Sequence, residues 1–214
     1  MNYTKLIREY CKSNNGAIFD VSKLKDTEFA EVPYKTLLKI LNRLEEEGVL
    51  SAVFKGVYFI GEKPVDEELI FDEYVDDGKG MFVGYQLFND VGISDYVDCN
   101  IEIYTNNIKS KQKSVGRYLM KRVNLEFDDD IVDLVALLEI IDVGYSMRGC
   151  DFMAYKKTVD MLLQSYFDSG FEKIIKAIRY KYSTIKQLSE LLKANSIDNN
   201  CIDTFENTYK NSMR

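Results

Sequence analysis

The period of the apolar positions along this chain changes near residue 48. Before it they recur at helical spacing; after it they run and alternate as strands do. Leu37, Leu38, Leu41 and Leu44 follow Pro33 at i, i+1, i+4, i+7 spacing, one apolar stripe of a helix. Pro33 suits a first helical position, where its missing N–H costs nothing. Gly48 is the expected left-handed stop. Residues 49–54 and 57–60 are β-prone, and Lys55-Gly56 can turn between them. Upstream, Asn2 to Lys12 carries Tyr3, Leu6, Ile7 and Tyr10 as a short helix, broken by Asn14-Asn15-Gly16. Phe19, Val21 and Leu24 anchor a second short helix or turn, with Asp20 or Ser22 as its cap. Two helices, a recognition helix and a hairpin wing thus fill residues 1–63, the order of a winged helix-turn-helix.

Pro64, one of only two prolines, marks the expected boundary. Over residues 64–150 the pattern predicts an acidic helix from Asp66 to Tyr74 and a loop from Asp76 to Gly80. A compact segment starts at Met81 and continues as a helix through Asn89, ending near Gly92. Asn100 to Thr105 alternates like a strand. Val115 to Val123 and Asn124 to Phe127 are expected to add strands, and Ile131 to Val143 is a strongly apolar helix central to a core. Residues 151–214 read as wholly helical. Phe152, Tyr155, Val159, Leu162 and Leu163 form one stripe, and Ile174, Ile175, Ile178 and Tyr182 another; Ser183 is the expected cap of a last helix. The expected class is α+β: an N-terminal winged helix-turn-helix, a mixed α+β domain and a helical C-terminal tail.

Charge qualifies this picture. The net charge of −7 argues against indiscriminate nucleic-acid binding, but it is unevenly spread. Residues 1–63 carry net +1, residues 64–150 net −10 and residues 151–214 net +2. A DNA-binding head beside an acidic middle remains workable, because local field guides docking. The acidic middle would equally suit a basic partner protein. No apolar run is long enough to span a bilayer, and the N-terminus lacks the apolar segment of a secretory signal. Cys11, Cys99, Cys150 and Cys201 are far apart, and there is no histidine, so zinc sites of ordinary spacing are not expected. The thiols read as reduced and the protein as cytoplasmic.

Lys35, Thr36, Lys39, Asn42 and Arg43 fall on the polar face of the recognition helix. Lys and Arg suit phosphate or guanine, and Asn suits adenine. The same face would be an ordinary solvated one in any amphipathic helix. Glu45-Glu46-Glu47 limits contact to the helix's first turns. Lys55 at the wing tip is either a phosphate contact or a polar turn, and Tyr58 reads as packing. Lys109, Lys111, Lys113, Arg117, Lys121 and Arg122 form the densest basic stretch, with no acid between them. They read either as a second patch for DNA, RNA or a protein partner, or as a loop and a solvated strand. Asp128-Asp129-Asp130 could bind a cation, but helix capping explains it better. Asp98, Glu102 and Tyr104 suggest a nuclease's carboxylate pair without its lysine. No catalytic residue, metal or cofactor is expected.

The order helix, Gly48-Val49-Leu50, Lys55-Gly56-Val57-Tyr58 resembles the N-terminal winged helix of AbiEi-type antitoxins of type IV toxin–antitoxin systems. Residues 84–89, GYQLFN, then Val91-Gly92-Ile93-Ser94, then Ile101 to Asn106 are similar to that family's helix, glycine turn and strand ending in Thr-Asn. The helix from Ile131 to Val143 has a counterpart too. The resemblance covers roughly residues 1–145; the tail lies outside it. Where family members often carry basic residues before the wing glycine, this chain has Ser51, Ala52 and Val53, with Lys55 the only cation. The resemblance implies a transcriptional autorepressor that binds inverted repeats of double-stranded operator DNA as paired copies. It also implies an antitoxin of an abortive-infection system, countering a nucleotidyltransferase-like toxin. No membrane contact is implied. The other readings are a protein-interaction module built on a winged helix, and a metal-dependent nuclease using Asp98 and Glu102.

Overall fold

The computed structural model describes residues 2–62 and 73–205. The Pro64 boundary and most of the expected acidic helix lie outside these residues.

The N-terminal unit is α1 (Tyr3–Ser13), β1 (Ile18–Asp20), α2 (Val21–Asp26), α3 (Tyr34–Glu46), β2 (Leu50–Phe54) and β3 (Val57–Ile60). Local signals set its boundaries. Asn2 caps α1 by accepting the Lys5 N–H at 3.1 Å, and Asp20 caps α2 through Ser22 and Lys23. Pro33 is the residue before α3, with ψ 133°, so the helix opens at Tyr34, one residue later than expected. Its end follows the Schellman pattern: Gly48 has φ +73°, and Val49 N–H reaches the Leu44 carbonyl at 2.9 Å. Leu37, Ile40, Leu41 and Leu44 are buried on one face of α3 against Ile7, Phe19, Phe29 and Leu50. β1 joins the β2–β3 hairpin as a three-stranded antiparallel sheet in the order β1-β3-β2.

A second sheet holds β4 (Gly80–Val83), β5 (Ile101–Thr105), β6 (Gln112–Val115) and β7 (Tyr118–Arg122) in the order β4-β5-β7-β6. β5 and β7 are parallel and the other pairs antiparallel. The expected single strand from Val115 to Val123 is therefore the second half of a hairpin turned at Gly116, which has φ +58°. Residues 124–127 form no strand. The Leu125 carbonyl instead accepts the Asn106 amide at 2.7 Å, and Phe127 N–H reaches the Gly78 carbonyl at 3.1 Å. α4 (Gly84–Asp90) follows β4 directly.

α5 (Asp129–Val143) is capped by Asp128, which accepts the Ile131 N–H at 2.9 Å, so the acidic triplet serves the helix start. Eight of its residues are buried. Around it pack α6 (Phe152–Leu162), α7 (Asp168–Ala177) and α8 (Tyr182–Ala194). One apolar cluster runs from Met81 and Val83 through α5 to Leu188 and Ile202. Tail residues from Tyr155 to Ile202 therefore share a core with the sheet.

Strand alternation gives the sheet two different coats. Ile101, Ile103, Tyr118 and Met120 share a cluster with Val57 of β3 and with Tyr74. Tyr104 packs with the helices. The N-terminal unit is thus docked against one sheet face. Phe54, next to the β2–β3 turn, lies so close to Gly116 that a Cβ there would sit 2.3 Å from its ring.

Candidate nucleic-acid interface

α3 presents Lys35, Lys39, Asn42 and Arg43 to solvent, with Thr36 half-buried. Its apolar stripe is committed to the core, so these are the side chains an incoming ligand meets. Lys35 and Lys39 make no ion pair among the described residues. Arg43 is partly engaged: its Nη2 donates to Thr4 Oγ1 at 2.9 Å, and its Nε lies 3.8 Å from Glu47. Glu47 also receives Arg8 at 2.5 Å. That acid at the end of α3 is thus largely answered within the fold, which softens the repulsion expected of the Glu45–Glu47 run.

The candidate site extends beyond α3 to the start of α1. Asn2, Tyr3 and Thr4 join Thr36, Lys39, Ile40 and Arg43 around a concavity of about 610 Å³. α1 begins there, so the positive end of its dipole lies beside two cations, with Asn2 already accepting the Lys5 N–H. The signal in the sequence is the cap: Asn2 three residues before Lys5 marks a helix start. What no local pattern conveys is that this start meets α3.

Lys55 is exposed at the β2–β3 turn, but the hairpin around it is not free. Phe54 rests on Gly116, Val57 is fully buried against the second sheet, and Val21 N–H bonds the Gly56 carbonyl at 3.0 Å. Tyr58 is core, as expected.

The stretch from Lys109 to Arg122 does not stay together as one patch. Successive residues of a strand point to opposite faces, so its charges disperse. Lys113 turns to the N-terminal unit and forms a close ion pair with Asp20; their side chains are 14% and 2% exposed. Lys113 Nζ also lies 3.2 Å from the Tyr74 hydroxyl, which donates to Asp20 Oδ2 at 2.9 Å. Burial pushes the Asp20 carboxyl up, but hydrogen bonds from Lys113 and Ser22, the Lys113 charge and the Tyr74 hydroxyl outweigh it. The carboxyl is held below its ordinary value. Burial first, then the Asp20 charge, pushes the Tyr74 hydroxyl far upward. Lys109 pairs with Asp26 of α2 at 3.2 Å. Lys121 Nζ lies 5.1 Å from the centre of the Tyr104 ring and Arg117 Cζ 5.7 Å from that of Tyr118. Lys113 and Lys109 therefore join the two units, and Lys113 is not available to a polyanion. Lys111 and Arg122 face a separate groove.

Asp98 is spent in a turn, accepting the Asn100 N–H at 3.1 Å. Among the described residues no group of three His, Cys, Asp or Glu is arranged to hold a metal. All four cysteines are free; burial pushes the Cys11 thiol up to about 11. No helix among the described residues is long and apolar enough to cross a membrane.

No protein-family model matches this chain, and no curated protein matches it. It is similar to the crystal structure of the RV2827C protein from Mycobacterium tuberculosis, at 15% identity and a TM-score of 0.42, over 92% of this chain and 78% of that one. That likeness is distant.

Proposed function

We propose that the N-terminal unit is a winged helix-turn-helix that sets α3 into the major groove of double-stranded DNA. The observation that carries this reading is the division of α3. Leu37, Ile40, Leu41 and Leu44 are locked into the core, while Lys35, Lys39, Asn42 and Arg43 are left to solvent along the length of the helix. A helix of this kind followed by a β-hairpin, with the third strand supplied from between α1 and α2, suits groove docking. The base-contact candidates are Lys39, Asn42 and Arg43; Lys35, Thr36 and Lys55 are candidates for the phosphates. The clamped hairpin reduces the part a wing would play.

The protein would act as a transcriptional autorepressor, with paired copies on an inverted repeat blocking the promoter. It would also act as the antitoxin of a type IV system, countering a nucleotidyltransferase-like toxin. That half of the proposal rests on the family resemblance of residues 84–106 and of the α5 sequence. A winged helix used for protein contact is the second reading. What favours it is the docking of the hairpin tip, Phe54 and Val57, onto the second sheet.

Selection from a random duplex pool tests the operator reading. The full chain is incubated with the pool, and the retained DNA is sequenced. Enrichment of a short motif, repeated in inverted orientation, is the expected result. Even recovery of all sequences, or none retained, sinks it.

A further inference from the structure

We propose that a second, basic groove, remote in sequence from α3, grips the phosphodiester backbone of nucleic acid. It lies between the β5–β6 connection, the end of β7 and α7. Lys111, Arg122, Asn124, Lys173, Lys176 and Ala177 line a concavity of about 470 Å³. Four of these six are cations and none is an acid. Of the four cations, Lys176 is paired with an acid outside the lining, Glu172, at 3.0 Å. Lys111 and Lys173 are exposed and have no ion-pair partner among the described residues.

Arg122 is pre-set for such a ligand. Its Nε donates to Asn124 Oδ1 at 3.2 Å and its Nη1 to the Lys109 carbonyl at 3.0 Å. Those bonds fix the guanidinium plane and leave the Nη2 hydrogens without an acceptor among the described residues. A fixed fork of this type suits phosphate oxygens, and the lysines around it supply point charges. Like charges gathered in a concavity repel one another and focus a positive field, which a bound polyanion relieves. The chain's net charge of −7 makes that local excess of cations the more distinct.

The lining also names the part of the ligand that is read. It contains no aromatic ring, so no base can stack there as on single-strand-binding platforms. Recognition falls on phosphates and is sequence-independent. Lys111 and Arg122 precede α5 and the two remaining lysines sit on α7, so the groove exists only because the tail packs on the same core as the sheet.

This proposal extends the nucleic-acid reading of α3, and the two can fail separately. The full chain is titrated into labelled random-sequence single-stranded and duplex oligonucleotides at several salt concentrations. The variants are Lys111→Ala/Lys173→Ala and Lys39→Ala/Arg43→Ala. Both substituted groove lysines, Lys111 and Lys173, are exposed, so unchanged thermal melting checks that the fold is intact. The groove variant is expected to bind about 10-fold more weakly at low salt and to lose about two units of the slope of log K against log salt, at ~0.9 per phosphate contact. Equal affinity and slope in that variant overturn the groove, whatever the α3 variant does. Weakening in the groove variant alone supports the groove and removes α3. Displacement of the oligonucleotide by micromolar pyrophosphate assigns the groove to small phosphate compounds and overturns the backbone proposal.

Discussion

Lys113→Met breaks the joint between the two units in a way whose size follows from the structure. Asp20 is almost wholly inaccessible, and Lys113 is its only cationic contact among the described residues. The carboxylate also accepts the Ser22 N–H at 3.0 Å, the Ser22 hydroxyl at 2.7 Å and the Tyr74 hydroxyl at 2.9 Å. Removing the lysine leaves a buried, uncompensated charge, a loss of about 3–5 kcal/mol in comparable cases. In a chain of this size each kcal/mol moves the melting point by about 2–4 °C, so a fall of roughly 10 °C is expected. Urea unfolding followed by far-ultraviolet circular dichroism measures it; the chain has no tryptophan for fluorescence. Asp20→Asn keeps a good cap for α2, and in the double variant the unpaired charge disappears. Asp20→Asn/Lys113→Met should therefore be more stable than Lys113→Met alone. The pH dependence has a definite sign. A carboxyl whose folded pKa is depressed adds stability above its unfolded value, about 3.9, and loses it as pH falls through the folded value. The gap between wild type and Lys113→Met should be full at neutral pH and close in acid. A cost below about 1 kcal/mol, the range of exposed pairs, would show that the joint is wet and the docking of the units loose.

Other perturbations read other parts of the fold. Burial pushes the Glu139 carboxyl up, opposed by hydrogen bonds from Tyr180 and Tyr104, and Tyr180 donates to it at 2.8 Å. A raised folded pKa adds stability below the unfolded value of about 4.3 that is lost as pH rises through the folded value. Glu139→Gln should therefore flatten the decline of melting temperature between mildly acidic and neutral pH; an unchanged profile contradicts this. Gly116→Val places a side chain into the Phe54 ring at φ +58° and should cost about 1–3 kcal/mol by overpacking alone, measured by urea unfolding. Asp128→Ala removes the cap of α5 and should cost about 1 kcal/mol by the same assay.

Much of the N-terminal unit is legible in the sequence because its signals are local. The Leu37–Leu44 stripe, Gly48 and the Lys55-Gly56 turn each act within a few residues. α5 is legible for a related reason: an apolar helix that long has to be buried on every side. The fate of the basic stretch is not. Whether Lys113 meets solvent or Asp20 depends on strand alternation and on a partner 93 residues away. Lys111 and Lys173, whose meeting forms the groove, sit in segments that read as different domains. The residues after β7 show the same limit: 124–127 have strand-like composition, but their backbone bonds Asn106 and Gly78, far away in sequence, instead of a strand. The place of Asn2 and Thr4 in the site is not legible in the sequence, because α1's start joins the α3 face only through packing.

If α3 reads DNA, Lys39 is the side chain whose loss must be felt. Lys39 is exposed and has no ion-pair partner among the described residues, so Lys39→Ala breaks no ion pair there. Affinity for the selected duplex is measured for wild type and Lys39→Ala by fluorescence anisotropy at two salt concentrations. The expected loss is ~1–3 kcal/mol of binding free energy if Lys39 reads a base. It becomes a smaller loss with a shallower salt slope if Lys39 meets phosphate. Equal affinity and equal salt dependence in the two proteins would take α3 out of the interface.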